Sequence, residues 1–232
     1  MQFKDQNKLK AVTFSYDDVT TQDIMLVELL NKYGLKSTFN VNSGLLGTTR
    51  ILQRNGRMVS HYKLSESDVK YVYEGHEVAA HTLTHPHLFG LDDATLIKEI
   101  EEDRQRLEEL VGYDVVGFAY PYGDVDDHIV DVIAGNTKIK YARTVVRTKS
   151  FDPQTDLLRF DPTDFHMNFD RLMELGRRFI EMKTDTPQIF YVWGHSFELD
   201  DAVENRQRIE EFFKLISGHN DIFYGTNREV LL

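Results

Sequence analysis

The stretch AVTFSYDDVTTQD, residues 11–23, decides how the chain is to be read. Its first half is β-branched and aromatic, as a buried strand is, and it stops at two adjacent carboxylates, Asp17 and Asp18. The overlapping stretch TTQDIMLVELLNKYGL (residues 20–35) sets Ile24, Leu26, Val27, Leu30 and Tyr33 at helical spacing and closes at Gly34. A strand running straight into a helix is the repeating unit of a parallel sheet.

That alternation recurs along the chain. KSTFNVNSG (36–44) reads as a second strand, and the polar region TTRILQRNGRMVSHYKLSESDV (48–69) as an insertion with short elements. EVAAHTLTH (77–85) is a strand entering a loop, and LDDATLIKEIEEDRQRLEELVGY (91–113) a long helix with an acidic start. Then follow strand VVGFAYPYG, helix DDHIVDVIAGN, strand IKYARTVV, the extended LLRFDPTDFHMN, helix FDRLMELGRRFIEMK, strand PQIFYVWGHSF, helix ENRQRIEEFFKLISGH and a final strand, DIFYGTNREVLL. About seven alternations without long linkers or repeats predict one α/β domain over residues 1–232, as a barrel or an open sheet. In both, function gathers at the carboxyl ends of the strands.

Composition narrows the function. With 38 acidic against 27 basic residues the net charge is −11, so the long-range field repels nucleic acid and anionic membranes. The absence of cysteine excludes disulfides, cysteine-ligated zinc and thiol catalysis. No apolar run approaches the roughly 18 residues of a spanning helix, so no membrane insertion is expected. The opening MQFKDQNKLKAVTF has no apolar segment of signal-peptide length, which makes a cytoplasmic protein the simplest expectation and an exported product with a trimmed leader the alternative.

The polar residues at strand ends are the candidates for chemistry. Asp17 and Asp18 end the first strand, His81 and His85 the third, Tyr120 to Gly123 the fourth, Arg143 the fifth and His195 the seventh. In a helical turn the spacing of His81 and His85 would bring two imidazoles within about 5–6 Å, close enough to share a metal. Two histidines and a carboxylate leave a coordination position open for water, as hydrolytic metal sites require. Asp17 and Asp18 could instead cap the helix starting near Thr20, although a cap uses one Asp, not two. In an extended segment neighbouring side chains point opposite ways, so one could bind a metal while the other faces substrate.

TFSYDD, HTLTH, YPYG and a late strand ending in His, in this order, resemble the polysaccharide deacetylase (NodB-homology) carbohydrate esterases across residues 11 to about 200. The resemblance implies a distorted (β/α)7 barrel that hydrolyses N- or O-acetyl groups on sugars with one divalent metal, usually zinc, with cobalt, nickel or manganese as alternatives. It assigns Asp18, His81 and His85 to the metal and Asp17 to the general base. It gives Tyr122 an oxyanion-binding main-chain N–H and makes His195 the general acid; otherwise His195 is a core histidine beside Trp193. An acetylated carbohydrate is the implied partner.

Three departures stand out. Ala119 occupies the place of an arginine that orients the base, and Arg143 is a replacement if it reaches Asp17, or else a surface arginine. Val19 replaces the glycine usual after the acidic pair, and RFDPTDFH (159–166) stands where an Asp-and-Trp segment is expected, leaving Asp161, Asp164 and His166 without roles. His87 is expected at the surface or behind the ligands, and Trp193 and Tyr122 toward the sugar. The departures keep two alternatives open: hydrolysis of another non-peptide C–N amide on the same barrel, or a catalytically impaired carbohydrate-binding relative.

Overall fold

In the computed structural model, which describes residues 7–232, the opening stretch forms β1 (Lys10–Asp17), buried at every position. Such burial needs both edges occupied, since an unpaired backbone group away from water is costly. β9 (Gln188–His195) runs parallel along one edge for the whole length, from Lys10 opposite Gln188 to Asp17 opposite His195. The other edge is shared by β10 (Ile222–Tyr224), opposite Lys10 to Val12, and β2 (Ser37–Val41), opposite Phe14 to Asp17.

The main sheet continues from β2 through β5 (Glu77–Ala80), β6 (Gly117–Ala119) and β7 (Tyr141–Arg143), all parallel, and on the far side of β9 comes β8 (Asp164–Phe165). Phe160 bridges to Arg143 at the end of β7, and β8, four residues later, pairs with Val192 and Trp193 of β9. Residues 160–165 therefore link the two outer strands, and the sheet curls into a distorted (β/α)7 barrel. Helices α1 (Asp23–Lys32), α3 (Asp93–Val111), α4 (Asp127–Asn136), α5 (Phe169–Glu181) and α6 (Asn205–Ile216) cover the strands. Phe14 shows how they pack: its ring meets Phe213 and Phe212 of α6 edge-on, at centroid distances of 5.1 and 6.3 Å.

Two elements differ from the sequence reading. The polar insertion is a hairpin of β3 (Ile51–Arg54) and β4 (Arg57–Ser60), followed by a short helix α2 (Glu66–Val72). Its turn places Asn55 and Gly56 at φ 48° and 77°, the left-handed pair an Asn-Gly hairpin needs. The final stretch is strand only to Tyr224; Asn227–Leu231 is a helix, α7, started by a capping box of Thr226 and Glu229. The Thr-x-x-Glu spacing is the signal for that start. Among the described residues no helix is long and apolar enough to cross a membrane. The expectation about a leader falls partly on residues 1–6, as does the proposed domain span, and these lie outside the described residues.

A close approach beneath the strand ends fixes one residue type. At Gly194 in β9 a Cβ would fall 2.1 Å from the ring of His166, which is fully buried. We predict that Gly194→Ala lowers stability by about 1–3 kcal/mol in urea denaturation, since the buried ring must shift.

Candidate active site

The carboxyl ends of β1, β2, β5, β6, β7 and β9 converge on one cleft. Asp17 and Asp18 do not cap α1, whose N-cap is Gln22. Nor do they alternate as in an extended strand: β1 ends at Asp17, and Asp18 and Val19 turn with φ of 81° and 50°. That left-handed turn brings both carboxylates into the same cleft. A β-branched residue at positive φ is strained, which is why this position favours glycine. The turn is held from outside by the chain after β4: Leu64 N–H donates to the Val19 carbonyl, Thr21 N–H to that of Tyr62, and the Lys63 ammonium to that of Asp18.

Asp17 is nearly fully buried and fully partnered. Asn40 Nδ2 of β2 donates to its Oδ1 at 2.7 Å, and Arg143 of β7 donates to its Oδ2. Burial alone would raise the pKa of Asp17; the Arg143 guanidinium, then His81 and His195, outweigh it and hold the carboxyl below its ordinary range. Arg143 is thus no surface residue. It is buried, engages Asp17 through one nitrogen rather than two, gives its other terminal nitrogen to the Thr144 carbonyl, and lies 4.5 Å over the Trp193 ring.

His81 and His85 do not sit on a helical turn. Residues 81–85 form a loop, with Thr82 and His85 at φ of 66° and 58°, that brings the two rings to 4.8 Å. His81 Nδ1–H donates to the Ala119 carbonyl at 2.8 Å, which fixes the tautomer and leaves the Nε2 lone pair free. Burial pushes the His81 pKa down to about 4 and lowers that of His85, so both rings are neutral at physiological pH, as ligands must be. One ligand atom each from Asp18, His81 and His85 fall within 4.8 Å of one another. This donor set, a carboxylate with two neutral imidazoles, fits a divalent transition metal. Burial would raise the Asp18 pKa, but the hydrogen bond from His61 and the charge of Lys63 take it well below its usual value.

The other wall carries His195. Its Nε2 lies 3.9 Å from Asp17 Oδ2, and its Nδ1 is 3.0 Å from Glu198 Oε2, the same oxygen that His166 Nε2 meets at 3.0 Å. Burial would depress the His195 pKa; the Glu198 carboxylate, with Asp18 and Asp17, pushes it up to about 9. Tyr122 sits at φ 57° in the turn Pro121–Gly123, whose own bonds run from Gly123 and Asp124 N–H to the carbonyls of Tyr120 and Pro121 and leave the Tyr122 N–H out. Its exposed ring stacks on His87, which also pairs with Asp124. Trp193, Phe165, Tyr120 and Phe197 line the cleft with it.

Five contributors escaped the sequence reading, Asn40 of β2 among them. Glu198 follows His195 by three residues, a capping-box spacing that was legible. Asp103 lies on α3 between Ile100 and Leu107, an acid on an apolar stripe, and accepts from the N–H groups of His81 and Ser43. His61, 3.3 Å from Asp18 Oδ2, and Lys63 come from the insertion, where no periodicity pointed to the cleft. Asp161 accepts from Thr144, and Asp164 from Asn168.

The sequence matches the polysaccharide deacetylase family over residues 4–141, more than half of the chain. The chain belongs to this family. Chitin deacetylase 1 of Cryptococcus neoformans is 25% identical over 155 residues, covering 66% of this chain and 29% of the fungal protein, so the chain spans less than a third of that relative. Among solved structures, a family 4 carbohydrate esterase from Streptomyces lividans in complex with acetate superposes with a TM-score of 0.56 at 17% identity, covering 94% of this chain and 92% of that one. A CE4 family pseudoenzyme from Bacillus anthracis gives 0.58 at 14% identity, covering 96% and 66%. Both share this barrel. Arg143, His195 and Glu198 lie beyond the matched stretch of the deacetylase family.

Two buried acids set a pH dependence. Burial pushes Asp23 and Asp103 each up to about 7, from an ordinary value of 3.8. A folded-state pKa above the unfolded one favours folding below about pH 4, and this contribution is lost as pH rises to about 7. The buried His81, lowered to about 4, acts with the opposite sign over the same window, so the expectation is differential: relative to wild type, Asp103→Asn should lose less stability, or gain more, between pH 5 and pH 8 in urea titrations.

Proposed function

We propose that the protein is a metal-dependent hydrolase that removes N- or O-linked acetyl groups from a sugar, oligosaccharide or polysaccharide. The observation that carries this reading is the convergence of ligand atoms from Asp18, His81 and His85 within 4.8 Å, next to a separately held carboxylate, Asp17. A divalent ion held there, zinc first by this donor set with cobalt, nickel or manganese as substitutes, would polarise the acetyl carbonyl and acidify the attacking water.

The chain's own residues do the rest. Asp17, ionised and held by Arg143 and Asn40, takes the proton from water as it attacks. The Tyr122 N–H, free of the turn's internal bonds, supports the oxyanion that forms on the acetyl carbon. His195, protonated at neutral pH and oriented by Glu198, donates a proton to the leaving amine or alkoxide through Nε2. Phe165 and Trp193, 5.0 Å apart, offer an apolar wall for the acetyl methyl and the sugar face. The Arg143–Asp17 pair favours an active enzyme over an impaired relative, because it restores by another route the contact that Ala119 cannot make.

His81→Ala and Asp18→Ala are expected to lose bound metal and acetate release together, whereas Asp17→Asn keeps about one equivalent of metal and loses turnover by about 100-fold or more. Elemental analysis beside an acetate assay on acetylated sugars checks this; full activity in metal-free Asp18→Ala protein would refute it. The alkaline limb of kcat/KM should follow loss of the His195 proton, which Glu198 holds above the ordinary imidazole range, and Glu198→Gln should move that limb down by about one to two pH units.

A further inference from the structure

The cleft has a second lobe that the chemistry above does not use. The first lobe, about 580 Å³, holds Asp17, His195 and the aromatic wall. The second, about 420 Å³, meets it at Asp18, His85, Tyr122 and Phe197, and is lined by Arg50, His61, Lys63, Thr48 and Thr84 beside Leu45 and Leu52. Volumes of this order suit a small ligand or a short segment of a longer one. A substrate with its acetyl group at the junction extends one way along Trp193 and the other way toward Arg50.

The second lobe differs in charge from the rest of the molecule. In a chain of net charge −11, it carries two cations, Arg50 and Lys63, and a single carboxylate, Asp18. Lys63 is turned to Asp18, through its carbonyl and, at 3.5 Å, its Oδ1. The Arg50 side chain is exposed and has no carboxylate partner among the described residues. With Asp18 engaged by a divalent ion, Lys63 would lose part of its counter-charge, and Arg50 has none. An exposed guanidinium lining the same lobe as a buried ammonium, in a lobe that adjoins the reacting centre at Asp18 and His85, is a recognition element for an anion.

We propose that this lobe is an anion subsite and that the substrate is an acetylated sugar bearing a phosphate or carboxylate, gripped by Arg50. The inference rests on the deacetylase reading for its substrate class, but its test does not require turnover. Calorimetry on the zinc-loaded protein would compare glucosamine 6-phosphate and muramic acid with glucosamine, which has the same amine and no anion; these product-like ligands distinguish phosphate from carboxylate. The sugar bearing the anion is expected to bind about tenfold tighter or more, with the ratio falling toward one in Arg50→Gln and partly restored in Arg50→Lys. Added salt should erode the same ratio. Arg147 lines the first lobe and is the comparator. Equal affinity for sugars with and without the anion, or a preference that survives Arg50→Gln and disappears in Arg147→Gln, would overturn the proposal. An Arg50-dependent preference without acetate release from any acetylated sugar would leave the subsite standing and remove the deacetylase reading; acetate release without the preference would do the reverse.

Discussion

The site hangs on the buried contact between Arg143 and Asp17. It joins the end of β7 to the end of β1 across the top of the barrel, while Asn40 brings in β2 and the stacked Trp193 brings in β9. Two charges removed from water in this way do little for net stability, because desolvation consumes most of their attraction, but taking away either partner strands the other. The pair therefore fixes geometry more than it adds stability. It keeps Asp17 ionised at a depth where a lone carboxyl would take up a proton, and it holds one oxygen at a set place beside His81 and His195.

Around that contact the backbone is bent against its preferences. Asp18, Val19, Thr82, His85 and Tyr122 all have positive φ without being glycine, and all five lie in or beside the cleft. Conformations of this kind cost of order 1–3 kcal/mol each and persist only when the surroundings over-determine them. The surroundings do so here: Lys63 and Leu64 grip the carbonyls of Asp18 and Val19, and Asp103 grips the N–H of His81. Residues that never touch substrate thus supply the rigidity that lets two carboxylates share a pocket and act differently.

Most of the framework was legible in the sequence because it depends on local periodicity. Strand AVTFSYD, the helix after it and the polar residues at strand ends all announce themselves by spacing. What escaped depended on distance or on one torsion angle. His61 and Lys63 follow the hairpin in a segment without hydrophobic pattern, and only its docking against Thr20 and Thr21 brings them to Asp18. The turn at Asp18, hidden behind a valine, defeated the rule of alternating side chains, and the loop from His81 to His85 replaced the helical turn that their spacing suggested. Asp103 and Glu198 were visible in principle, as an acid on an apolar stripe and as the far half of a capping box.

The pairing of β1 also bears on the order in which the protein can be built. β1 has one whole edge closed by β9, which lies 178 residues further along the chain, with Asp17 opposite His195. Until β9 has been synthesised, a strand containing Val12, Phe14 and Tyr16 keeps that edge open, so burial of the barrel's central stave waits for it. Contacts of such long sequence separation also make slow folding the expectation. Until β9 arrives, the open edge of β1 is where a nascent chain is exposed to mispairing.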